Sequence, residues 1–217
     1  MFLSEKMITL DNTTIQIFGK KLFDSVDLSV YPGEKVVITG PSGCGKSSLL
    51  RSILGGIPLA AGTITVHGLE LCARNVGKIR AQTSYVAQEP LLGMEIVRDA
   101  LLLPFTYTTH KKKRPSEKTV QATLTSLGLS VDVLCKTCKK LSGGEKQRLS
   151  IARALLLGNK LFLADEITSA LDQDNKIRVV ETILQSELTI LSVSHDSEWI
   201  EACDRMMRIV DQTLVEL

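Results

Sequence analysis

The octet Gly40-Pro41-Ser42-Gly43-Cys44-Gly45-Lys46-Ser47 constrains this chain more than any other segment. It fits the pattern G-x-x-x-x-G-K-[ST] and stands between two segments of different character. Val36 to Thr39 is a short, continuous apolar run, the mark of a strand buried on both faces of a parallel sheet. Ser47 to Leu54 has helical character and stops at Gly55-Gly56. A strand, a glycine-rich turn and a helix in that order gather backbone N–H groups and the positive end of a helix dipole around one point, which suits a phosphate. Lys46 adds a compact charge for the β- and γ-phosphates of a nucleotide, and Ser47 a hydroxyl for Mg²⁺. Gly40, Ser42, Gly43, Cys44, Gly45, Lys46, Ser47 and Ser48 are the candidate nucleotide-binding residues here. The Cys44 thiol reads as a small filler.

The remaining chain supplies more strands and helices around this unit. Ile8 to Val30 alternates and ends at the turn Pro32-Gly33, which predicts antiparallel strands at the edge of a small β-subdomain. Gly62 to Leu71 alternates again, with a turn at His67-Gly68. Val97 to Leu134 reads as mainly helical, interrupted by the basic run His110-Lys111-Lys112-Lys113-Arg114-Pro115, which reads as a solvated loop. Glu145 to Leu157 is a second strong helix. Leu161 to Ala164 and Leu188 to Val193 are two further buried-strand runs, ending at Asp165-Glu166 and Ser194-His195. Strands alternating with helices imply an α/β fold with a doubly wound parallel sheet, and the chemical groups stand just past the strand ends, where such sheets bind ligands.

A second glycine-rich helix start narrows the family. Leu141-Ser142-Gly143-Gly144-Glu145-Lys146-Gln147-Arg148 combines a small hydroxyl, two glycines and a helix N-terminus, a second anion site that one nucleotide would not need from the same chain. With this octet the chain resembles the ATP-binding cassette (ABC) family, whose signature is LSGGQ-like; Glu145 stands where Gln is commoner. The resemblance runs from about residue 8 to 210. Leu161-Phe162-Leu163-Ala164-Asp165-Glu166 is similar to the Walker B strand, Ser169-Ala170-Leu171-Asp172 to the D-loop, Gln88 after Ser84-Tyr85-Val86-Ala87 to the Q-loop glutamine, and His195 to the switch histidine. Ile167 departs from the pattern, where Pro is usual.

The resemblance implies a P-loop NTPase core with an antiparallel β-subdomain and a helical subdomain inserted at about 89–157, together one ABC ATPase domain over 1–217. It implies hydrolysis of ATP with Mg²⁺: Ser47, Gln88 and Asp165 as metal residues, Glu166 polarising the attacking water, and Lys46, Gln88 and His195 completing the catalytic set. It implies that Phe18 stacks on adenine, with Phe23 nearby. It also implies an ATP-dependent head-to-tail homodimer, in which Ser142, Gly143 and Gly144 of one copy close on the γ-phosphate held by the other. The working partner would be a separate integral membrane permease, met through Gln88 and the segment from Glu89 to Pro104.

Composition bears on location. No apolar run approaches the roughly 20 residues that span a bilayer. Met1 to Leu10 carries Glu5 and Lys6 within its apolar stretch, unlike a secretory leader. The expectation from these features is a cytoplasmic protein with no span of its own; the resemblance implies that it lies peripheral on the inner face of the cell membrane through the permease. A formal net charge of +2 offers no overall field for nucleic acid. Five cysteines are an odd number for a disulfide framework, and the lone Cys135-x-x-Cys138 reads as structural or incidental. The alternative within the family is a non-transport ATPase of DNA repair or ribosomes, which usually carries two cassettes or a long coiled coil; this chain has neither. The run Thr39 to Lys46, with Asp165 to Asp172 and Asn175, is similar to small bacterial ATPases of iron export and metal stress, so the resemblance makes a metal such as iron the candidate substrate.

Overall fold

The computed structural model describes residues 6–217. The opening residues, on which part of the leader argument rests, lie outside that range. The chain builds two sheets. Strands β1 (Ile8–Ile17), β2 (Lys20–Val30), β4 (Leu59–Val66) and β5 (Leu69–Glu70) form an antiparallel sheet in the order β2-β1-β4-β5. Strands β3 (Lys35–Thr39), β6 (Thr83–Val86), β7 (Leu161–Asp165), β8 (Thr189–Val193), β9 (Arg205–Val210) and β10 (Thr213–Glu216) form the second, in the order β10-β9-β3-β8-β7-β6. Every pairing in it is parallel except the terminal hairpin β9–β10.

The larger sheet is covered on both faces, which is why its strands read as continuous apolar runs. Side chains still alternate: Val36, Ile38, Leu161 and Leu163 pack into a core shared with the antiparallel sheet, while Val37, Phe162 and Ala164 face a second core made by helices. The first core also takes Leu49, Leu50 and Ile53 of helix α1 (Lys46–Ile53) and Ile79 of α2 (Val76–Gln82). The second takes α3 (Val97–Leu102), α4 (Glu117–Ser126), α5 (Gly143–Leu156), α6 (Gln173–Leu184) and α7 (Ser197–Glu201). Parallel register brings the ends of β3, β8, β7 and β6 to one edge, and the phosphate loop, His195, Glu166 and Gln88 follow those ends in turn.

The stretch from Val97 to Leu134 is less helical than its polarity pattern predicts. Only α3 and α4 are α-helical; Leu103–Thr106, Lys111–Lys113 and Val131–Cys135 are short 3-10 turns. Pro104 lacks an N–H and Pro115 disfavours helix before it, so the chain cannot continue as one helix through either. The basic run is exposed from Lys111 to Arg114, and His110 is partly buried. Cys138 is buried and Cys135 exposed, the placement of a packing residue and a surface residue. Ile167 is buried in the helical core, so its departure from proline is used for packing.

Candidate active site

The phosphate loop is shaped by its glycines and by its own lysine. Gly45 has φ +105°, and a Cβ there would lie 3.1 Å from Phe23 Cε2 and 3.2 Å from Leu22 Cβ. Only glycine meets both demands, the left-handed backbone and the close approach of β2. Lys46 is buried, and its Nζ donates to the carbonyls of Gly40 at 2.9 Å and Pro41 at 3.0 Å. That arches the lysine over the loop. A cavity of about 360 Å³ opens here, lined by Leu22, Ser42, Gly43, Gly45, Lys46, Ser47, Ser48, Gln88 and Glu166. Of the predicted loop residues, Gly40 and Cys44 stand behind this lining: a Cβ on Gly40 would meet Cys44 Sγ at 3.2 Å.

Two carboxylates face the loop from the end of β7. Ser47 Oγ donates to Asp165 Oδ1 at 2.8 Å, and Tyr85 Oη donates to Asp165 Oδ2 at 3.2 Å. Burial, then the Asp165 charge, raises the Tyr85 pKa, so this hydroxyl remains a donor. Glu166 follows in a left-handed conformation, φ 49°, uncommon for a residue with a side chain. Its N–H donates to Val193 O at 2.9 Å, and the Ser169 hydroxyl donates to its carbonyl at 2.9 Å, which holds the turn. One carboxylate oxygen of Glu166 accepts from Gln88 Nε2 at 2.9 Å, and the other lies 3.6 Å from His195 Nε2. His195 is half-exposed beyond β8, followed by Asp196, which caps α7 and pairs with Lys176 Nζ at 2.7 Å. The Ser47 hydroxyl touches the Asp165 carboxylate, and the Gln88 carboxamide lines the same cavity as Ser47; all three are hard donors of the kind Mg²⁺ takes.

The second helix start has its own order. Ser142 caps α5: its hydroxyl accepts from Glu145 N at 3.1 Å, and Glu145 Oε2 accepts from Ser142 N at 2.8 Å. This reciprocal capping box accepts Glu or Gln at 145, and the carboxylate's charge further suits the positive end of a helix. The Ser142 N–H, opposed by burial and helped by Lys136, holds the Glu145 carboxyl below its usual range. Gly143 has open space where a side chain would stand, and a Cβ on Gly144 would meet Ala170 O at 3.2 Å. Ser142, Gly143 and Gly144 do not line the cavity of their own phosphate loop.

Several positioning residues carry no sequence signal. Gln147 is buried and donates to Ala87 O at 3.2 Å, and Arg153 donates to Leu91 O at 2.9 Å, so α5 grips the segment around Gln88 from both sides. Tyr85 reaches Asp165 because β6 and β7 pair in parallel register, a relation between strands separated by more than seventy residues. Phe18 stands fully exposed at the β1–β2 turn, outside the cavity lining, with φ 47°. Phe23 is fully buried and offers no face to a ligand.

Comparison with known proteins bears on the fold and the family. The family model described as ABC transporter matches residues 23–169. The probable iron export ATP-binding protein FetA of Escherichia coli (strain K12) is 34% identical over 207 residues, covering 94% of this chain and 91% of that one. The energy-coupling factor transporter ATP-binding protein EcfA1 of Levilactobacillus brevis is 30% identical, covering 99% of this chain and 79% of its own. Among solved structures, the dimeric post-hydrolysis state of the ATP-binding cassette MJ0796 bound to ADP and Pi matches with a TM-score of 0.84 at 26% identity, over 97% of this chain and 98% of that one. A bacterial Atm1-family ABC exporter with ATP bound shares the fold, with a TM-score of 0.85 at 24% identity, and this chain spans 39% of it. Among the described residues no helix is long and apolar enough to cross a membrane. With the family model over most of its length and a relative matched almost end to end, the chain belongs to the ABC transporter family and is an ATPase that works on ATP with Mg²⁺.

Proposed function

We propose that this chain is the ATP-hydrolysing subunit of a transporter, one cassette domain over 1–217 that works as an ATP-dependent head-to-tail homodimer beneath a separate integral membrane permease. It would be cytoplasmic, held at the inner face of the cell membrane through that permease. The observation that carries the reading is the convergence of Gln88 and His195 on the two oxygens of Glu166, at the mouth of the phosphate-loop cavity.

Each residue has a role that its position supports. Ser42, Gly43, Gly45 and Ser48 surround the phosphates with Gly40 and Cys44 shaping the loop behind them, and Lys46 exchanges its two loop carbonyls for phosphate oxygens. Ser47, Asp165 and Gln88 would hold Mg²⁺, which when bound would neutralise charge on the phosphate oxygens. Tyr85 fixes the rotation of Asp165. Glu166 accepts a hydrogen bond from the attacking water and orients it in line with the γ-phosphate, while Gln88 and His195 keep its carboxylate aimed. His195 also reaches the γ-phosphate. Phe18 is free to stack on adenine. Ser142, Gly143 and Gly144 stand apart from their own cavity and present an uncovered helix start, so they serve the γ-phosphate of a second copy. ATP then bridges two chains, and its hydrolysis releases them, the bistable step that drives the permease.

The segment after Gln88, from Glu89 to Pro104, which exposes Glu89, Leu91, Gly93, Met94 and Glu95 while Leu92 and α3 pack into the core, is the proposed permease contact; α5 holds its base through Gln147 and Arg153. A metal such as iron is the proposed cargo, supported by the likeness to a protein named for probable iron export. The test is recovery of tagged Glu166→Gln protein from its native membranes with Mg²⁺-ATP, followed by mass spectrometry. One polytopic membrane protein is the expected companion. Ribosomes or DNA-repair factors in its place would refute the transport reading.

A further inference from the structure

The net charge of +2 hides one strongly one-sided region. Residues 71–88 and 100–116 contain no Asp or Glu, yet they hold Arg74, Lys78, Arg80 and the run Lys111 to Arg114. The fold brings the two segments together. A cleft of about 560 Å³ runs between α2 and the 107–114 turn, with Arg74 and Lys78 on one wall and His110 and Lys113 on the other. Arg80 is spent on the carbonyls of Leu54 and Gly55. The other six cations are exposed, and among the described residues none of them forms an ion pair. The first carboxylate after the run, Glu117, is engaged at 2.5 Å by Arg98. His110 Nδ1 is buried against the turn without a partner among the described residues.

We propose that this cleft takes the phosphate headgroups of anionic phospholipids, so that the cassette touches the bilayer surface as well as its permease. The proposal rests on the reading above for bringing the chain to a membrane. Six uncompensated cations on long, exposed stems are the pattern that anionic leaflets attract, each contributing about fivefold in binding near the surface. The cleft otherwise offers Gly77, Ala81, Gln82 and Thr109, small or polar groups with no apolar anchor of the kind a protein partner buries. Tyr107, exposed beside the basic turn, is an aromatic of the type that settles among headgroups.

The test is sedimentation of the full chain, without nucleotide or permease, on phosphatidylcholine vesicles and on vesicles with about one third phosphatidylglycerol. Wild type is expected to bind the anionic vesicles alone and to release as salt rises. The triple variant Lys111→Gln/Lys112→Gln/Lys113→Gln should bind about a hundredfold more weakly. A control with the same loss of charge elsewhere, Lys20→Gln/Lys139→Gln/Lys160→Gln, should lose far less. Equal losses in both triple variants, or no binding to anionic vesicles, would overturn the proposal. Displacement by inorganic phosphate at constant ionic strength would make this a soluble-anion site, also overturning it. A triple variant that binds vesicles like wild type but is lost from permease-containing membranes would assign the cleft to an acidic protein segment. Because no permease is present in the vesicle arm, its failure leaves the transporter reading intact, which the recovery experiment above decides separately.

Discussion

Replacing Glu166 by Gln removes one negative charge and leaves almost everything else in place. The side chain keeps its length, so the left-handed backbone at φ 49° bears the same strain as before. Gln88 Nε2 donates to one Glu166 oxygen at 2.9 Å, which dictates the orientation of the new amide: its oxygen must take that contact, and its NH₂ must face His195 Nε2, now 3.6 Å away. His195 can accept there as a neutral ring. The nucleotide contacts proposed for Lys46 and Ser47 are untouched, so ATP should bind. The lost element is the basic oxygen that orients water, worth about 10²- to 10⁴-fold, or roughly 3–5 kcal/mol of barrier. The variant should melt within about 1 °C of wild type, bind Mg²⁺-ATP, accumulate as a dimer by light scattering, and turn over at least about a hundredfold more slowly. Turnover within about threefold of wild type would show that another group orients the water, and the convergence of Gln88 and His195 on Glu166 would then have no catalytic meaning.

Three further changes probe the two helix starts. Gly45→Ala places a Cβ 3.1 Å from a fully buried Phe23 at φ +105°, so it should cost about 2 kcal/mol or more and lower Tm by about 4–8 °C in calorimetry, with nucleotide affinity falling as well. Ser142→Ala removes the cap of α5 and should cost about 1 kcal/mol, read as a fall of about 2–4 °C in Tm, while ATP-dependent dimerisation measured by light scattering is lost. Glu145 has a folded-state pKa below its ordinary 4.5, chiefly through the Ser142 N–H. Its contribution to stability is therefore complete above the unfolded value and disappears as pH falls through the lower folded value. Denaturant midpoints taken from about pH 6 to about pH 3 should fall less steeply for Glu145→Gln than for wild type, and superimposable acid limbs would remove Glu145 from that role.

Legibility in the sequence followed the range of the interaction concerned. Val36 to Thr39, Leu161 to Ala164 and Leu188 to Val193 are legible as buried strands because each must be apolar on both faces, a demand the local sequence records. The same holds for the glycine loop, whose shape depends on residues within it. Arg205 to Val210 is not legible: β9 lies near the sheet edge, alternates exposed Arg208 and Val210 with buried Met207 and Ile209, and its basic residues mask the period. In Val97 to Leu134 the polar face reads as more helix than Pro104 and Pro115 permit, and only the basic run ending at Pro115 marks an interruption.

The site divides along the same line. Lys46 and Ser47 announce themselves because a phosphate loop is a chemical pattern in one dimension, while Asp165, Glu166 and His195 are legible as strand-end residues matched to the family pattern. Tyr85, Gln147 and Arg153 act only through the register of β6 on β7 or the packing of α5, so no spacing marks them. Glu145 is the instructive middle case. As a substitution in the LSGGQ-like signature it looks like a change to the nucleotide surface, yet its carboxylate turns inward to Ser142 N and completes a capping box. Glutamine can complete the same box, so what distinguishes Glu145 is its charge, set against the helix dipole and 3.6 Å from Lys136. The departure therefore tunes how firmly the start of α5 is held, while Ser142, Gly143 and Gly144, the groups proposed to meet the γ-phosphate of a second copy, keep the form the family pattern requires.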